Sequence, residues 1–285
     1  MKLKYDAVSY VLQTGNPFHK LKLSLISNTQ PEEQQKLVKQ LRSLQNPDGG
    51  WPWQLQEGKP SGTSQTARTL ELLLKAGENE DSNTAKCSVA FLFQMQKEDG
   101  GWSENPELRE IIPQKWSWIS TQHSGYQAAD AVNALIEEGY SNDARVAKAV
   151  NFFYRAQNEE GGWPSYVSPD HQHESSDIAA MDHVVSALLS FGEPKDSVVL
   201  RRAVDALLMQ RENWKEPVDG TAVLCVFLML DYPLNHEYVR ELVANLIESQ
   251  RPDRGWNWFD DLPSNPAQTV DSIEQLIRCG VEVFP

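Results

Sequence analysis

Apolar residues recur three and four apart along most of the chain, a spacing that puts them on one face of an α-helix. Ala147-Lys-Ala-Val-Asn-Phe-Phe-Tyr-Arg-Ala156 is one such stretch, and it runs into Gln157-Asn-Glu-Glu-Gly-Gly-Trp163. The same turn follows other stretches as Gln45-Asn-Pro-Asp-Gly-Gly-Trp51 and Gln96-Lys-Glu-Asp-Gly-Gly-Trp102. Gln250-Arg-Pro-Asp-Arg-Gly-Trp256 is a fourth copy and Gln210-Arg-Glu-Asn-Trp214 a shortened one. The glycine pair is expected to end each helix, because a residue with positive φ is favoured there.

A second, more apolar helix follows each turn and often closes on glycine. It recurs from Gln65 to Gly77, Gln127 to Gly139, Ala180 to Gly192, Gly220 to Tyr232 and Gln268 to Gly280. A hairpin of this kind cannot bury its apolar face alone, so neighbours must stack. Charged outer and apolar inner helices then predict an all-α fold, a single (α/α)6-type toroid of five to six hairpins over residues 1–285. Residues 3–14 are expected to supply a sixth inner helix with 18–27 as its partner. The segment 1–28 is expected to close the barrel irregularly.

Composition narrows the function. Forty Asp and Glu against 26 Lys and Arg give a net charge of −14, which argues against nucleic acid, since phosphate binding needs clustered cations. The same charge disfavours general attraction to anionic membranes and leaves peripheral contact through apolar surface open. No apolar run reaches the length of a membrane span, and the start of the chain lacks the apolar stretch of a signal peptide. Cys87, Cys225 and Cys279 lie far apart inside helical patterns and read as buried free thiols. The expected location is therefore cytoplasmic.

The Gln…Gly-x-Trp signature resembles the QW repeat of squalene–hopene and oxidosqualene cyclases, and the protein prenyltransferase β-subunits share the toroid with a looser motif. Each Gln is expected to bond backbone at a helix end, and each Trp to lie buried between repeats. Among toroids, the Cys-Gly-Glu-Gln thioester motif and a Cys-Cys-His zinc site are both absent here. The resemblance therefore implies a class II terpene cyclase-like protein acting on a hydrophobic isoprenoid without a cofactor. Mg²⁺ would enter only with a diphosphate substrate.

Function is expected where the inner helices begin, because free N–H groups and helix dipoles converge there. The position two before the shared Thr/Ala reads Ser64, Tyr126, Ala179, Asp219 and Ala267, and only Asp219 is acidic. On Thr221-Ala222 the resemblance places Asp219 on the aspartate that protonates an alkene or epoxide. Pro217 and Gly220 replace the flanking acids of that motif, so the groups that would tune the acid are missing. A helix cap is the other reading of Asp219. The prenyltransferase zinc ligands fall on Asp219, Thr221 and Gln268, and two of the three are lost.

Aromatic residues of the outer-to-inner loops, Trp53, Trp116, Trp118, Tyr166, Trp258 and Phe259, are candidates to line an isoprenoid site through cation–π attraction. His123, Tyr126 and Asp177 are further candidates at the same mouth. His171 and His173 are weak metal candidates in an Asp-His-Gln-His-Glu loop. His183 reads as a hydrogen-bonded core residue. Relatives of this branch carry two barrels with the active site between them, so a single barrel implies a homodimer, a partner domain that completes the site, or a small substrate. The alternative is a non-catalytic toroid that binds an isoprenoid, a peptide or a protein.

Overall fold

The computed structural model describes residues 1–27, 31–112, 124–167, 175–258 and 262–284. Twelve α-helices lie among them: α1 Ala7–Thr14, α2 Pro17–Ile26, α3 Pro31–Ser43, α4 Thr63–Lys75, α5 Asn83–Met95 and α6 Gly125–Glu137. The others are α7 Ala144–Ala156, α8 Ile178–Phe191, α9 Val198–Met209, α10 Pro217–Met229, α11 Glu237–Ser249 and α12 Pro266–Arg278. A short antiparallel pair, β1 Trp51–Pro52 and β2 Ser61–Gly62, precedes α4. The helices start where the sequence supplies caps. Ser82, Asp143 and Asn265 accept N–H bonds at the starts of α5, α7 and α12, and proline opens α2, α10 and α12.

The helices form two compact units, Val38–Ala206 and a second built from both chain ends, Met1–Leu37 with Leu207–Pro285. In the first, α4, α6 and α8 pack side by side as inner helices, with α5 and α7 against them. In the second, α12 packs between α10 and α2.

This arrangement corrects the reading of the N-terminus. Expected to close irregularly, the segment 1–28 holds two capped helices in its described residues, 1–27: Asp6 caps α1, and Asn16 caps α2 ahead of Pro17. The inner helix of the pair is α2. Its Lys22 reaches Asp271 (2.8 Å) and Glu274 (2.7 Å) on α12. The segment 3–14 instead supplies an outer helix, as the glutamines show.

Four of the motif glutamines, Gln45, Gln96, Gln157 and Gln250, tie their own turn to the start of the next outer helix. The Nε2 of Gln45 donates to the carbonyls of Gly49 (2.9 Å) and Thr84 at the start of α5 (3.0 Å). Gln96 does the same to Gly100 and Arg145 on α7, and Gln157 to Gly161 and Val199 on α9. Gln250 bonds Arg254 and then Tyr5, just ahead of α1, so the N-terminus takes the place of the next outer helix.

The tryptophans are equally regular. The Nε1 of Trp51, Trp102, Trp163 and Trp256 donates to the carbonyls of Leu41, Leu92, Phe153 and Leu246 at 2.7–2.8 Å. All four indoles are fully buried, each worth roughly 4–6 kcal/mol of gross apolar transfer. In the shortened copy Trp214 is also buried, but its Nε1 has no partner.

The glycine pair does not end the helices, which stop one or two residues before or at the glutamine. Its first glycine has a different task. Gly49 (φ 90°) sits so close to α5 that a Cβ would lie 2.3 Å from the carbonyl oxygen of Cys87. The three cysteines are free and only half-buried.

Candidate functional site

The inner helices α4, α6 and α8 each carry a polar stripe at helical spacing. On α4 it runs Ser64, Arg68, Glu71, and on α6 Tyr126, Asp130, Asn133. On α8 it runs Asp182 and His183, then Ser186 and Ser190. Apart from the buried Asp130 and the exposed Ser190 these residues are half-buried, whereas the apolar residues between them are mostly core. The stripes of α6 and α8 meet across the helices: Ser190 Oγ donates to Asn133 Oδ1 (3.0 Å), and the Tyr126 ring lies 4.1 Å from that of His183.

Asp130 is the centre of this face. It is 4 % exposed, and each carboxylate oxygen has a partner from a different helix. Ser64 Oγ of α4 donates to Oδ2, and His183 Nδ1 of α8 lies 2.7 Å from Oδ1. Burial pulls the His183 imidazole down, but the charges of Asp182 and Asp130 and the Asp130 hydrogen bond outweigh it, and His183 is pushed up to about 9. At neutral pH the ring is an imidazolium whose Nδ1–H donates to Asp130.

Ser64 is held in turn by Glu104. The N-cap of α4 is Gly62, which has no side chain to offer, and Glu104 supplies the missing acceptor from the next loop. Its Oε2 accepts from Thr63 N (2.6 Å) and its Oε1 from Ser64 N (3.2 Å). Burial pushes the Glu104 carboxyl up, the backbone N–H groups oppose this, and the charge of Asp130 adds to it. Trp53 closes the same corner, its ring and Glu104 Oε2 both 3.5 Å from where a Gly62 Cβ would stand.

Residues 6–126 match the family model of the squalene–hopene cyclase C-terminal domain. Over that stretch the chain is similar to squalene–hopene cyclases. It is 32% identical over 132 residues to the lanosterol synthase of Aspergillus fumigatus, covering 45% of this chain and 16% of that enzyme. It is 29% identical over 126 residues to the squalene–hopene cyclase of Bradyrhizobium diazoefficiens, covering 44% and 18%. The matches thus span less than a fifth of either relative. Among solved structures, the type II terpene cyclase MstE from Scytonema superposes with a TM-score of 0.70 at 15% identity, covering 96% of each chain. A variant of it, solved with geranylgeranyl dihydroxybenzoate as substrate, gives 0.69 at 15% identity, again covering 96% of each. The all-α toroid expected from the repeats is therefore the fold.

The residues expected at the site are spread out. Tyr126 and Trp53 stand beside Asp130 and Glu104, as above. Asp177 caps α8, its Oδ1 accepting from Ala179 N (2.8 Å) and its Oδ2 from Ser165 Oγ, and Tyr166 is half-buried in the loop before it. Trp258 belongs to the other unit and is 42 % exposed. Trp116, Trp118, His123, His171, His173 and Phe259 lie outside the described residues.

Asp219 is half-buried in the first turn of α10, where the N-cap is Glu216, so Asp219 is not the capping residue. Beside it, the two residues standing where prenyltransferases have zinc ligands bond each other: Gln268 Nε2 donates to Thr221 Oγ1 (2.9 Å) and to the Pro217 carbonyl (3.0 Å). Among the described residues no group of three or more His, Cys, Asp or Glu is placed to hold a metal. No helix there is long and apolar enough to cross a membrane.

Sequence reasoning missed Asp130, Arg68 and Glu104. The spacing of Asp130 and His183, each the sixth residue of its helix, was the signal that could have found the pair.

Proposed function

We propose that this protein protonates a hydrophobic isoprenoid and guides its cyclisation, with Asp130 as the acid. The observation that supports this is the buried Asp130 carboxyl group with a Ser64 hydroxyl and a His183 N–H on its two oxygens. Protonating a double bond or opening an epoxide needs an acid whose conjugate base is already stabilised. The reacting form is the one that carries a proton on Asp130; when that O–H proton passes to the substrate carbon or oxygen, the carboxylate left behind is held by both donors, and this anionic form is the one that pairs with the His183 imidazolium. The new cation is drawn along the chain by successive double bonds until a proton is lost to water, and water returns a proton to Asp130, so the net change is an isomerisation. Tyr126 and Trp53 offer ring faces to that charge. The proton step needs no cofactor, and Mg²⁺ would come only with a diphosphate substrate.

The relatives and the solved neighbour support the substrate class. MstE is matched over 96% of its length, so a chain of this size is compatible with the activity without a second barrel.

Asp219 is the second reading for the acid. It is favoured by its place in the first turn of an inner helix, two residues before Thr221-Ala222. Incubation with squalene- and geranylgeranyl-type substrates, with products read by mass spectrometry, separates the two. Asp130→Asn is expected to lower turnover at least a thousandfold while Asp219→Asn stays near wild type. The opposite pattern moves the acid to Asp219. Turnover unaffected by either variant places the acid elsewhere and overturns both readings, and turnover absent in the wild type leaves a toroid that binds its ligand without changing it.

A further inference from the structure

A cleft of about 280 Å³ lies within the unit built from both chain ends, where α1, α2, α3 and the C-terminal segment come together. Each helix turns residues of one face towards it: Val8 and Leu12 from α1, Lys20 and Leu23 from α2, Glu33 and Leu37 from α3. Phe284 adds a ring from the C-terminal segment. Packed helices ordinarily interdigitate and leave no gap of this size between them. Leu12 is 52 % exposed and Phe284 half-buried, so the cleft opens to water between apolar walls. A hydrocarbon chain laid there takes those walls out of water, which is the usual source of affinity in such sites.

The polar liners decide the other end of the ligand. Ser24 and Ser27 are neutral, and Ser27 Oγ already donates to the Leu23 carbonyl (2.8 Å). Glu33 stands in the first turn of α3, where the helix dipole favours a carboxylate, and Lys36 lies 3.8 Å from it. Lys20 differs. It is half-buried, and among the described residues its ammonium has neither an ion pair nor a hydrogen bond. Lys22, two residues on, is by contrast engaged by Asp271 and Glu274. A lysine set along an apolar wall lays its methylenes on the wall and keeps its ammonium at the rim. One unpaired cation there calls for a single negative charge, because a chain of net charge −14 repels a more heavily charged group.

We propose that the cleft between α1, α2 and α3 binds a medium-length alkyl carboxylate, its chain among Leu12, Leu23, Leu37 and Phe284 and its carboxylate on Lys20. At roughly 30 Å³ for each water-sized group, the cleft has room for about nine or ten carbons. The chain supplies most of the affinity, and the ion pair at the rim selects an acid over an alcohol or an amine of the same length. This site uses none of the residues around Asp130, so it stands or falls independently of the acid mechanism.

Titration calorimetry with decanoate, decanol and decyltrimethylammonium, which share one chain, tests this. Decanoate is expected to bind at least tenfold more tightly than either of the others. Lys20→Met keeps the apolar stem and should abolish that preference while leaving decanol unchanged. Val8→Trp fills the cleft and should weaken decanoate at least tenfold; if thermal melts show that it does not fold, Lys20→Met decides. A decanoate with a diazirine on its chain, cross-linked by light and located by mass spectrometry, should label α1, α2 or α3. Decanol or the ammonium binding as tightly as decanoate, an unchanged preference in Lys20→Met, or labelling confined to other helices overturns the proposal. Binding of none of the three overturns it as well.

Discussion

His183 and Asp130 meet across α8 and α6, Nδ1 to Oδ1 at 2.7 Å, fifty-three residues apart in sequence. Two inner helices are thereby joined by a charge-assisted bond at the centre of the candidate site. Such a pair holds its geometry firmly and shows itself in pH dependence.

Stability is expected to fall as the solution becomes alkaline. His183 is raised from 6.5 to about 9 in the folded protein, so the folded state holds its proton more tightly than the unfolded one. That contribution is complete below pH 6.5 and is lost as pH rises through 9, on the order of 2–3 kcal/mol. Urea unfolding at pH 6, 8 and 9.5 measures it. His183→Gln should flatten the profile across this window, and an unchanged slope would show that the pair contributes nothing.

A second titration runs at lower pH. Glu138, at the C-terminal end of α6, is pushed up to about 7 by burial and by the charges of Glu80, Glu78 and Asp81, and its Oε2 has no hydrogen-bond partner. A carboxylate raised in this way weakens the fold as pH climbs from 4.5 through 7. Glu138→Gln should therefore stabilise the protein at pH 8 by about 1–2 kcal/mol, the exposed Glu80 and Asp81 being screened by solvent. At pH 4.5 the gain should vanish. A loss of stability at pH 8 would contradict this.

The tryptophans offer an internal comparison. Trp102→Phe removes an indole N–H that donates to the Leu92 carbonyl at 2.7 Å, whereas Trp214→Phe removes one with no partner. Both lose similar ring area, so the first should cost about 1 kcal/mol more, with an orphaned carbonyl added to the lost bond. Equal costs in chemical denaturation would mean that the regular Nε1 bonds carry no net stability.

Two glycines with nearly the same backbone separate strain from crowding. Gly49 and Gly77 have φ of 90° and 87°, but a Cβ at Gly77 meets open space while one at Gly49 strikes the Cys87 carbonyl. Gly77→Ala is expected to cost about 1 kcal/mol. Gly49→Ala should cost several, or prevent folding, because the turn must move off α5. Melting temperatures of the two variants decide it.

The sequence alone determined the repeat, and the repeat determined the fold class. A motif glutamine, glycine and tryptophan act within ten residues of one another or on the next repeat, so their roles recur as a visible period. The same local logic placed the inner helices and put Tyr126 and Trp53 near their starts. It failed at the N-terminus, where no motif copy marks which helix is outer. There only the bond from Gln250 to Tyr5 assigns α1.

The candidate acid was decided by tertiary structure. Asp219 stands out in the sequence because it sits at a helix start in a recognisable register. Asp130 lies one turn deeper, in a helix where an isolated carboxylate carries no local signal. Its significance comes from Ser64, sixty-six residues before it, and His183, fifty-three after it. Burial and the partners brought in by neighbouring helices set the chemistry of a carboxyl group, and those exist only once α4, α6 and α8 pack together.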